Sequence, residues 1–406
     1  MAKILITTIG TGDIKKDSDS DYIETNYEIE GKNYKNTLTS QVILEHYGIE
    51  KVIFIGTSGS MWDNLYFKYN GDDENYLDLL TSKKQNKNLT LNDLKELEKT
   101  VDKYLNNQGS KCLLMDYSEN DFNEIWGNFE VLLNLKEYFD EKDEIYLDIT
   151  HGFRYMPILN IFALEFLSTL QKDLNIKSVL YGMFAGNNSK IIDFKIFFEL
   201  LEWAKAIEEM EKFSSLDRLV KLSSGKIEKN GFNNLNNMAQ AFEIANMTAI
   251  YKSINNLQNH LNYFSENENK VIKLISPRIE SFVKRLSKNT LSDFQFELAK
   301  FFAEKHNYAL GYIALAEAVV TKVCEKRDLD TNNKDDREKA KDIMYEYKSY
   351  PFNSVGRKFW ELYFPKINKI RNNIAHQLET NKNPKQDIEN FAKYFNDSKK
   401  YLKELF

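Results

Sequence analysis

The chain has 406 residues, of which 42% are hydrophobic and only 5 are Pro and 16 are Gly, and its formal net charge is −6. This length exceeds what one hydrophobic core usually serves, so we expect two domains, and the composition excludes a low-complexity chain. The acidic balance excludes a protein that coats nucleic acid indiscriminately. We therefore expect no stable binding of DNA, and any contact with RNA must come from a local basic patch.

The sequence contains no signal for a membrane segment or a metal cluster. It has neither a run of about 18 apolar residues nor a basic start followed by an apolar run, which predicts a soluble protein that is not exported. Its two cysteines, Cys112 and Cys324, lie far apart in the chain. They predict neither a disulfide framework nor a zinc site and fit a reducing cytoplasm.

The first half alternates between strand and helix patterns. Continuous apolar runs, typical of strands buried on both faces, predict strands at residues 3–8, 51–56, 111–116, 144–150 and 177–183, with a further strand at 191–197. Helical periodicity predicts helices at residues 39–47, 91–105, 121–139 and 156–170. This repetition predicts an α/β domain with a parallel, Rossmann-like sheet.

The second half shows a different pattern. Beyond about residue 198 the strand signals stop, and long periodic stretches predict an all-α region with helices at 198–213, 235–264, 270–286, 291–306, 308–325 and 387–405. Segment 326–339, rich in Asp, Asn and Lys, predicts a solvent-facing loop. We expect a first domain at residues 1–200, a helical connecting region at 201–300 and a last domain at 301–406.

Three loops rich in glycine and hydroxyl groups follow predicted strands, at residues 7–13 (TTIGTGD), 56–62 (GTSGSMW) and 148–154 (DITHGFR). Ligands of open parallel sheets bind outside the carboxyl ends of the strands, and backbone amides there suit an anion. The first loop is not a dinucleotide fingerprint, because Lys15 stands in place of its third glycine. A polar insert, residues 16–35, follows this loop.

Arg371 and His376 pair a permanent cation with the side chain that moves protons near neutral pH. On one helix, five residues place them roughly 140° apart and about 7.5 Å along the axis, so one helix alone serves both groups poorly. A second copy of the helix, related by a two-fold axis, could bring the Arg and His of both copies into one cleft. Asn372 adds a polar donor, and Lys366 and Lys369 add positive charge for a phosphate. The alternative is a surface pair or a packing contact.

Pro365 predicts a kink or a first turn in this helix. The 23 Tyr and 27 Phe are interpreted as packing and interface residues, not as a platform on which RNA bases stack. His46 ends a predicted helix, where a cation suits the helix C-terminus, so it is predicted to be structural. His260 and His306 lie within helical patterns and are predicted to be core or surface residues.

The motifs carry a resemblance. Asp148-Ile149-Thr150-His151-Gly152 resembles the Asp-x-Thr-His-Gly motif of CRISPR-associated proteins, and with loop 8–12 it resembles a CARF domain, the Rossmann-like sensor of cyclic oligoadenylates in type III CRISPR systems. Arg-Asn-x-x-x-His resembles the signature of HEPN ribonucleases, whose active site forms from both copies of a helical dimer, and residues 307–318 resemble the first long helix of such domains. The chain as a whole resembles ancillary CRISPR-associated ribonucleases, although residues 213–300 match only as helices.

The resemblance implies an allosteric enzyme: a metal-independent endoribonuclease that cleaves single-stranded RNA, acts as a homodimer or higher oligomer, and is activated by cyclic oligoadenylate, with tetra-adenylate favoured over hexa-adenylate. It implies that Arg371 and His376 are catalytic, with Asn372 in support. The implied effector pocket comprises Gly10, Thr11, Gly12, Thr57, Ser58, Thr150, His151, Gly152 and Arg154.

Two alternatives stay open. The chain could be a non-enzymatic sensor whose helical half docks a partner, with the basic segment 284–288 as a candidate surface. It could also be a ring nuclease that degrades its own activator, in which the hydroxyls of Thr11, Thr57 and Thr150 position a 2′-hydroxyl.

Overall fold

The computed structural model describes residues 1–10, 24–116, 122–140, 142–152, 155–170, 174–184, 188–376 and 384–406, together with the backbone but not the side chain of residue 122. The chain forms two compact units, Met1–Glu199 and Leu200–Phe406. None of the helices within these described ranges is long and apolar enough to cross a membrane.

The first unit is built on one sheet with the strand order β3-β2-β8-β7-β6-β1-β4-β5 among the described residues. Its strands are β1 (Lys3–Thr8), β2 (Thr25–Ile29), β3 (Lys32–Asn36), β4 (Lys51–Thr57), β5 (Lys111–Met115), β6 (Glu144–Asp148), β7 (Asn175–Met183) and β8 (Asn188–Asp193). From β5 to β7 all neighbours pair in parallel, whereas β7–β8 and β2–β3 are antiparallel. The predicted parallel, Rossmann-like sheet is confirmed for its central strands.

Helices cover both faces of this sheet. They are α1 (Thr39–Tyr47), α2 (Trp62–Lys68), α3 (Glu74–Gln85), α4 (Lys95–Leu105), α5 (Phe122–Leu133) and α6 (Met156–Leu170). Leu5 of β1 packs in one hydrophobic core with residues of α1, α2 and α4, while its neighbours Ile4 and Ile6 pack in the other core with residues of α6. Because successive side chains of a strand point to opposite faces, a continuous apolar run serves both cores.

Several boundaries in this unit differ from the prediction. Helices 39–47 and 156–170 are confirmed, but the predicted helices 91–105 and 121–139 each contain a 3₁₀ turn, at Leu91–Leu94 and Asn134–Tyr138. Residue 121 lies outside the described residues. The predicted strand 191–197 is wrong in its second half, because β8 ends at Asp193 and a helix starts at Lys195.

Strands β2 and β3 were not predicted, since their sequence was interpreted as a polar insert. The two strands form an antiparallel hairpin. The pattern of β3, with exposed Lys32, Asn33 and Lys35, is that of a sheet edge, where charged residues prevent pairing with other chains. Polar composition at an edge strand therefore hid the hairpin.

The second unit is helical. Its helices are α7 (Lys195–Phe213), which begins before the unit boundary, α8 (Asp217–Ser223), α9 (Lys229–Glu243), α10 (Met247–Gln258), α11 (Asn262–Ser265), α12 (Lys270–Leu286), α13 (Leu291–Glu304), α14 (Tyr308–Lys326), α15 (Lys334–Glu346), α16 (Val355–Leu362), α17 (Lys369–Ala375) and α18 (Pro384–Leu405). A 3₁₀ turn, Tyr347–Ser349, and a π-helical segment, Tyr363–Asn368, join the later ones. One hydrophobic core extends from Trp203 to Leu402.

Two predictions in this unit are wrong. The predicted helix 235–264 is divided among α9, α10 and α11. The first break arises because Ala245 has a positive φ of 50° and the Asn246 side chain accepts a hydrogen bond from the backbone N–H of Ala249 at 3.0 Å, which starts α10. The predicted loop 326–339 ends early, since Asn333 caps α15 by accepting from the N–H groups of Asp335 and Asp336. Acidic residues in a first helical turn are stabilising.

The two cysteines are buried, Cys112 in β5 and Cys324 in α14, and both are free. Burial raises the pKa of both thiols. A buried thiol with a raised pKa is a poor nucleophile, so these residues serve packing.

Candidate functional site

Asp148 is a fully buried carboxylate at the carboxyl end of β6. Its Oδ2 accepts a hydrogen bond from the Thr7 hydroxyl at 2.8 Å, and its Oδ1 accepts from the Thr150 backbone N–H at 2.9 Å and from the Thr150 hydroxyl at 2.5 Å. A buried charge is tolerated only when it is hydrogen-bonded in this way. Asp148 therefore organises the loop that follows it.

Thr150 connects this loop to the neighbouring strand, β7. Its hydroxyl oxygen accepts a hydrogen bond from the Gly182 N–H of β7 at 2.8 Å, while its proton goes to Asp148. A Cβ on Gly182 would lie 3.0 Å from Thr150 Cγ2, so the close approach requires a residue without a side chain. We call Thr7, Asp148, Thr150 and Gly182 the Asp148 cluster.

His151 is half-buried and lies above this cluster. Its Nε2 is 3.3 Å from the hydroxyl of Thr39 at the start of α1, and its carbonyl oxygen accepts a hydrogen bond from the Thr8 hydroxyl. Thr39 also forms a hydrogen bond with the Tyr27 hydroxyl. The pKa of this hydroxyl is raised, because burial and the charge of Asp148 outweigh the lowering effect of the bond with Thr39. The sequence did not indicate Thr39 or Tyr27.

Gly152 has a φ of 107°, which L-residues rarely adopt. A Cβ there would also lie 3.1 Å from Thr8 Cβ and 3.2 Å from Met156 Sδ. The backbone therefore requires glycine here, and a side chain would also crowd the space between the loops that follow β1 and β6.

The loop after β4 is joined to the loop after β1. The Ser60 hydroxyl donates to the Ile9 carbonyl at 3.1 Å, and the Met61 N–H donates to the Gly10 carbonyl at 3.1 Å. Thr57 is buried beneath this junction, where its N–H donates to Ser60 Oγ at 2.9 Å, whereas Ser58 is half-buried. The adjacent parallel strands β6, β1 and β4 thus bring three loops to one edge of the sheet.

The structure places six of the nine predicted pocket residues on these three loops: Gly10, Thr57, Ser58, Thr150, His151 and Gly152. The other three, Thr11, Gly12 and Arg154, lie outside the described residues, as does part of the predicted insert 16–35. The half-buried members, Gly10, Ser58, Thr150, His151 and Gly152, remain reachable by a ligand at this edge.

In the second unit, Arg371 lies in α17 and His376 ends it. The His376 N–H donates to the Asn372 carbonyl at 2.9 Å, so the helical geometry continues to His376 and keeps the two side chains apart as predicted. The Arg371 side chain is 34% exposed, and His376 is exposed. No contact between them is found within the described residues.

The Arg371 guanidinium is held from two sides. Its Nη2 is 3.3 Å from Glu317 Oε1 of α14, and its Nη1 donates to Asn372 Oδ1 at 3.1 Å. Glu317 also accepts from Arg337, whose Nη1 donates to the Thr321 hydroxyl at 3.0 Å. We call Glu317, Arg337, Arg371 and Asn372 the Glu317 cluster.

The cluster adjoins buried Tyr363. Burial raises the pKa of the Tyr363 hydroxyl, as does the charge of Glu317, while Arg371 lowers it. The sequence did not indicate Glu317 or Arg337.

A π-helical segment, Tyr363–Asn368, leads into α17. Pro365 lies within it and not in a first turn, and proline removes the backbone N–H that a regular helix would use. Single π turns inside α-helical runs are frequent at functional sites. Lys366 and Lys369 of this region are exposed beside Arg371.

Within the part of the chain that the structure describes, no group of three or more His, Cys, Asp or Glu side chains is placed to hold a metal ion.

Comparison with known proteins bears most directly on the identity of the first unit. Residues 4–185 match the family described as CRISPR system endoribonuclease Csx1, CARF domain, and they include all three loops. Residues 199–293 match the family described as CRISPR-associated protein MJ1674, second domain. The predicted CARF domain is confirmed by the first match. The HEPN prediction concerns residues 301–406, outside both matched ranges, and stays a prediction.

The chain is similar to CRISPR-associated protein MJ1674 of Methanocaldococcus jannaschii, with 29% identity over 417 residues, which cover 96% of this chain. The chain spans 65% of the length of this curated relative. Among solved structures, Enterococcus italicus Csm6 bound to cyclic hexa-2′-fluoro-hexa-dAMP is similar at a TM-score of 0.44 and 13% identity, covering 100% of this chain and 94% of that chain.

Proposed function

We propose that this chain is a homodimeric, metal-independent endoribonuclease of type III CRISPR defence that cleaves single-stranded RNA when cyclic oligoadenylate binds its first unit. The observation that carries the proposal is the exposed end of α17, where Glu317 and Asn372 fix Arg371 and His376 reaches solvent. The CARF match of residues 4–185 supports the sensor half.

The activator binds where the loops after β1, β4 and β6 meet. Ser58, His151 and Gly152 contact the ligand from half-buried positions. Buried Thr57 supports the loops, as does Thr150, whose N–H and hydroxyl both donate to Asp148. Thr11, Gly12 and Arg154, which lie outside the described residues, stay predicted members of the pocket. Tetra-adenylate is the activator we favour over hexa-adenylate.

The homodimer is supported by an exposed apolar stripe on α6. Ile158, Phe162, Phe166 and Leu170 are 57%, 62%, 46% and 59% exposed. Their spacing of four residues places them on one helix face, and Trp126 of α5, 53% exposed, extends the surface. Contiguous exposed apolar surfaces of this kind are typical of interaction sites. A second copy on the α6 stripe lies next to the 148–152 loop, which leads into this helix.

The chemistry requires both copies of α17. The 2′-hydroxyl oxygen of RNA attacks phosphorus while one His376 accepts its proton, and the bond from phosphorus to the 5′-oxygen breaks as the second His376 donates a proton to that oxygen. Arg371 stabilises the negative charge that develops on the non-bridging oxygens of the phosphate through its parallel donors. The products carry a 5′-hydroxyl and a 2′,3′-cyclic phosphate or its hydrolysed form.

The docking alternative receives less support from the structure. In its basic segment, Lys284 pairs with Glu280 at 2.8 Å, and Arg285 pairs with Glu297 at 2.9 Å. Two of the three cations of this segment therefore have acidic partners, which reduces the charge available to a partner protein, whereas Lys288 has no such partner within the described residues.

Substitution His376→Ala tests the proposal. We expect the ligand-activated cleavage rate to fall about 10²- to 10⁴-fold, the range of a lost general acid or base. Binding of cyclic tetra-adenylate, measured by calorimetry, should not change. His260→Ala is the matched control, because the His260 ring forms a local hydrogen bond with the Asn256 carbonyl at 2.7 Å and lies outside the proposed active site. Full cleavage by the His376→Ala protein would place the activity elsewhere.

A further inference from the structure

A cavity of about 760 Å³ lies in the second unit, between α13, the start of α14 and α18. Its volume falls in the range of pockets that hold small molecules, about 300–1,000 Å³. Neither the Glu317 cluster nor His376 lines it. We call it the α18 cavity.

Aromatic rings form one wall of the α18 cavity. Phe296 of α13 and Phe391 of α18 are buried, while Phe395 is half-buried. The rings of Phe296 and Phe395 meet edge to face at 5.8 Å, and those of Phe391 and Phe395 stack at 6.3 Å. Such a wall offers apolar area and ring faces to a planar ligand.

Charged side chains surround this wall, and the acidic ones have cationic partners. Asp293 lies 3.3 Å from Lys322, Glu297 lies 2.9 Å from Arg285, and Glu304 lies 2.7 Å from the same Arg285. Lys300 adds a longer pair with Glu304 at 3.9 Å, so each carboxylate of the cavity faces a cation, which reduces its repulsion of an anion.

Two lysines of the cavity have no acidic partner within the described residues, Lys288 and Lys399. The Lys399 ammonium lies 5.8 Å from the ring centres of both Phe296 and Phe395. A cation above aromatic rings matches a ligand with a planar apolar part and a negative group, since the rings stack and the ammonium groups bind the anion.

The cavity also lies close to the segment that precedes Arg371. Tyr394, the neighbour of Phe395 on α18, has the Lys366 ammonium 5.8 Å from its ring centre, and Lys366 belongs to the π-helical segment. Helix α18 thus contacts the cavity on one side and the basic approach to α17 on the other.

We infer that the α18 cavity is a substrate subsite that binds one nucleotide of single-stranded RNA, with the base against the Phe296 and Phe395 rings and the phosphate at Lys288 and Lys399. The inference rests on the proposed ribonuclease function, which it extends by a substrate-binding site away from the reacting atoms. It also changes the interpretation of the aromatic residues, because these Phe side chains serve both packing and RNA stacking.

The test is binding of a short fluorescein-labelled 2′-O-methyl RNA, which cannot be cleaved, to the full-length protein by fluorescence anisotropy. In the double variant Lys288→Ala, Lys399→Ala we expect the Kd to rise about tenfold and the salt dependence to weaken, because phosphate contacts release counterions. Phe395→Leu keeps an apolar side chain but loses stacking, and should weaken binding several-fold. Lys400→Ala, on the same helix but outside the cavity, is the control and should leave the Kd unchanged.

Steady-state cleavage separates this subsite from the catalytic groups. The lysine double variant should raise KM and leave kcat unchanged, since a remote contact binds ground state and transition state alike. If the folded double variant binds RNA with the same Kd as the unchanged protein, the inference is wrong, and it is also wrong if the variant changes the oligomeric state instead. If RNA binding depends on the two lysines but the protein cleaves no RNA, the ribonuclease proposal is wrong, whereas the inference of an RNA-binding subsite stands.

Discussion

The two candidate sites of this chain are held in opposite ways. The Asp148 cluster is buried, and one carboxylate accepts three hydrogen bonds from residues on two strand ends. The Glu317 cluster is an ion-pair network in which the side chains of Glu317 and Arg371 are 30% and 34% exposed. The loops of the first unit are thus held by hydrogen bonds within one chain, whereas the end of α17 offers its groups to solvent and, under the proposed function, forms a cleft with a second copy.

The largest expected effect comes from breaking the Asp148 cluster. Asp148→Ala leaves the Thr7 hydroxyl and the Thr150 N–H without their acceptor, and unsatisfied buried groups cost about 1–3 kcal/mol each. We expect the free energy of unfolding of the first unit to fall by about 3 kcal/mol and activation by cyclic tetra-adenylate to disappear. Denaturant melts and a cleavage assay measure both.

Asp116→Ala is the matched control for this prediction, because Asp116 follows strand β5 at the same edge but its side chain is exposed. A folded Asp148→Ala protein with unchanged stability and normal activation would contradict the structural role of the cluster.

The next prediction concerns the second copy. Phe162→Glu places a charge in the middle of the α6 stripe, and loss of a central apolar contact costs about 2 kcal/mol or more, roughly a 30-fold weaker dimer. Sedimentation velocity should show monomers at concentrations where the unchanged protein is dimeric, and cleavage should fall with them. Phe67→Glu, at an equally exposed phenylalanine of α2, should remain dimeric. A dimeric, active Phe162→Glu protein would show that the interface lies elsewhere.

A smaller effect is expected in the Glu317 cluster. Glu317→Gln removes the charge that orients Arg371, and we expect kcat to fall about tenfold, or 1.4 kcal/mol, with the KM for RNA unchanged. Because Glu317 positions Arg371 without touching RNA, Glu317→Asp should restore part of the activity. Glu338→Gln on α15, which removes only a surface pair with Lys341 at 2.8 Å, is the control. Equal kcat in the Glu317→Gln and Glu338→Gln proteins would exclude a positioning role.

The smallest effect comes from the opposite end of β6. Asp143 is a buried residue that directly precedes this strand. Burial alone would raise the pKa of its carboxyl group, but the hydrogen bonds that it accepts from the N–H groups of Ala2 at 2.6 Å and Asp140 at 3.0 Å outweigh burial. The pKa of Asp143 is therefore lowered. A lowered pKa stabilises the fold above the unfolded value of about 3.9, and this contribution is lost as the pH falls through the folded value. Asp143→Asn should therefore be less stable at neutral pH and match the unchanged protein in strong acid.

Activation by the ligand should be normal in Asp143→Asn, since this residue lies at the edge of the sheet away from the three loops. Thermal melts across pH measure the difference in stability, and the cleavage assay measures the activation. A difference in stability that persists in strong acid would contradict the assigned cause.

The sheet and its loops could be predicted because the signals are local. Apolar runs marked β1, β4 and β6, and the residues that follow each strand are adjacent in sequence. Thr39 and Glu317 could not be predicted, since Thr39 meets His151 across 112 residues and Glu317 meets Arg371 across 54. The hairpin β2–β3 was hidden by its polar edge, and the start of α15 by its Asp-rich first turn.

The most direct measurement is cleavage of a fluorogenic single-stranded RNA by the purified protein in EDTA, with and without cyclic tetra-adenylate. We expect cleavage only with the ligand, products ending in a 2′,3′-cyclic phosphate, and an activator that stays intact over hours. Cleavage that requires a divalent cation would contradict the Arg371 and His376 mechanism. Binding of tetra- or hexa-adenylate without any RNA cleavage would contradict the enzyme and favour a non-enzymatic sensor.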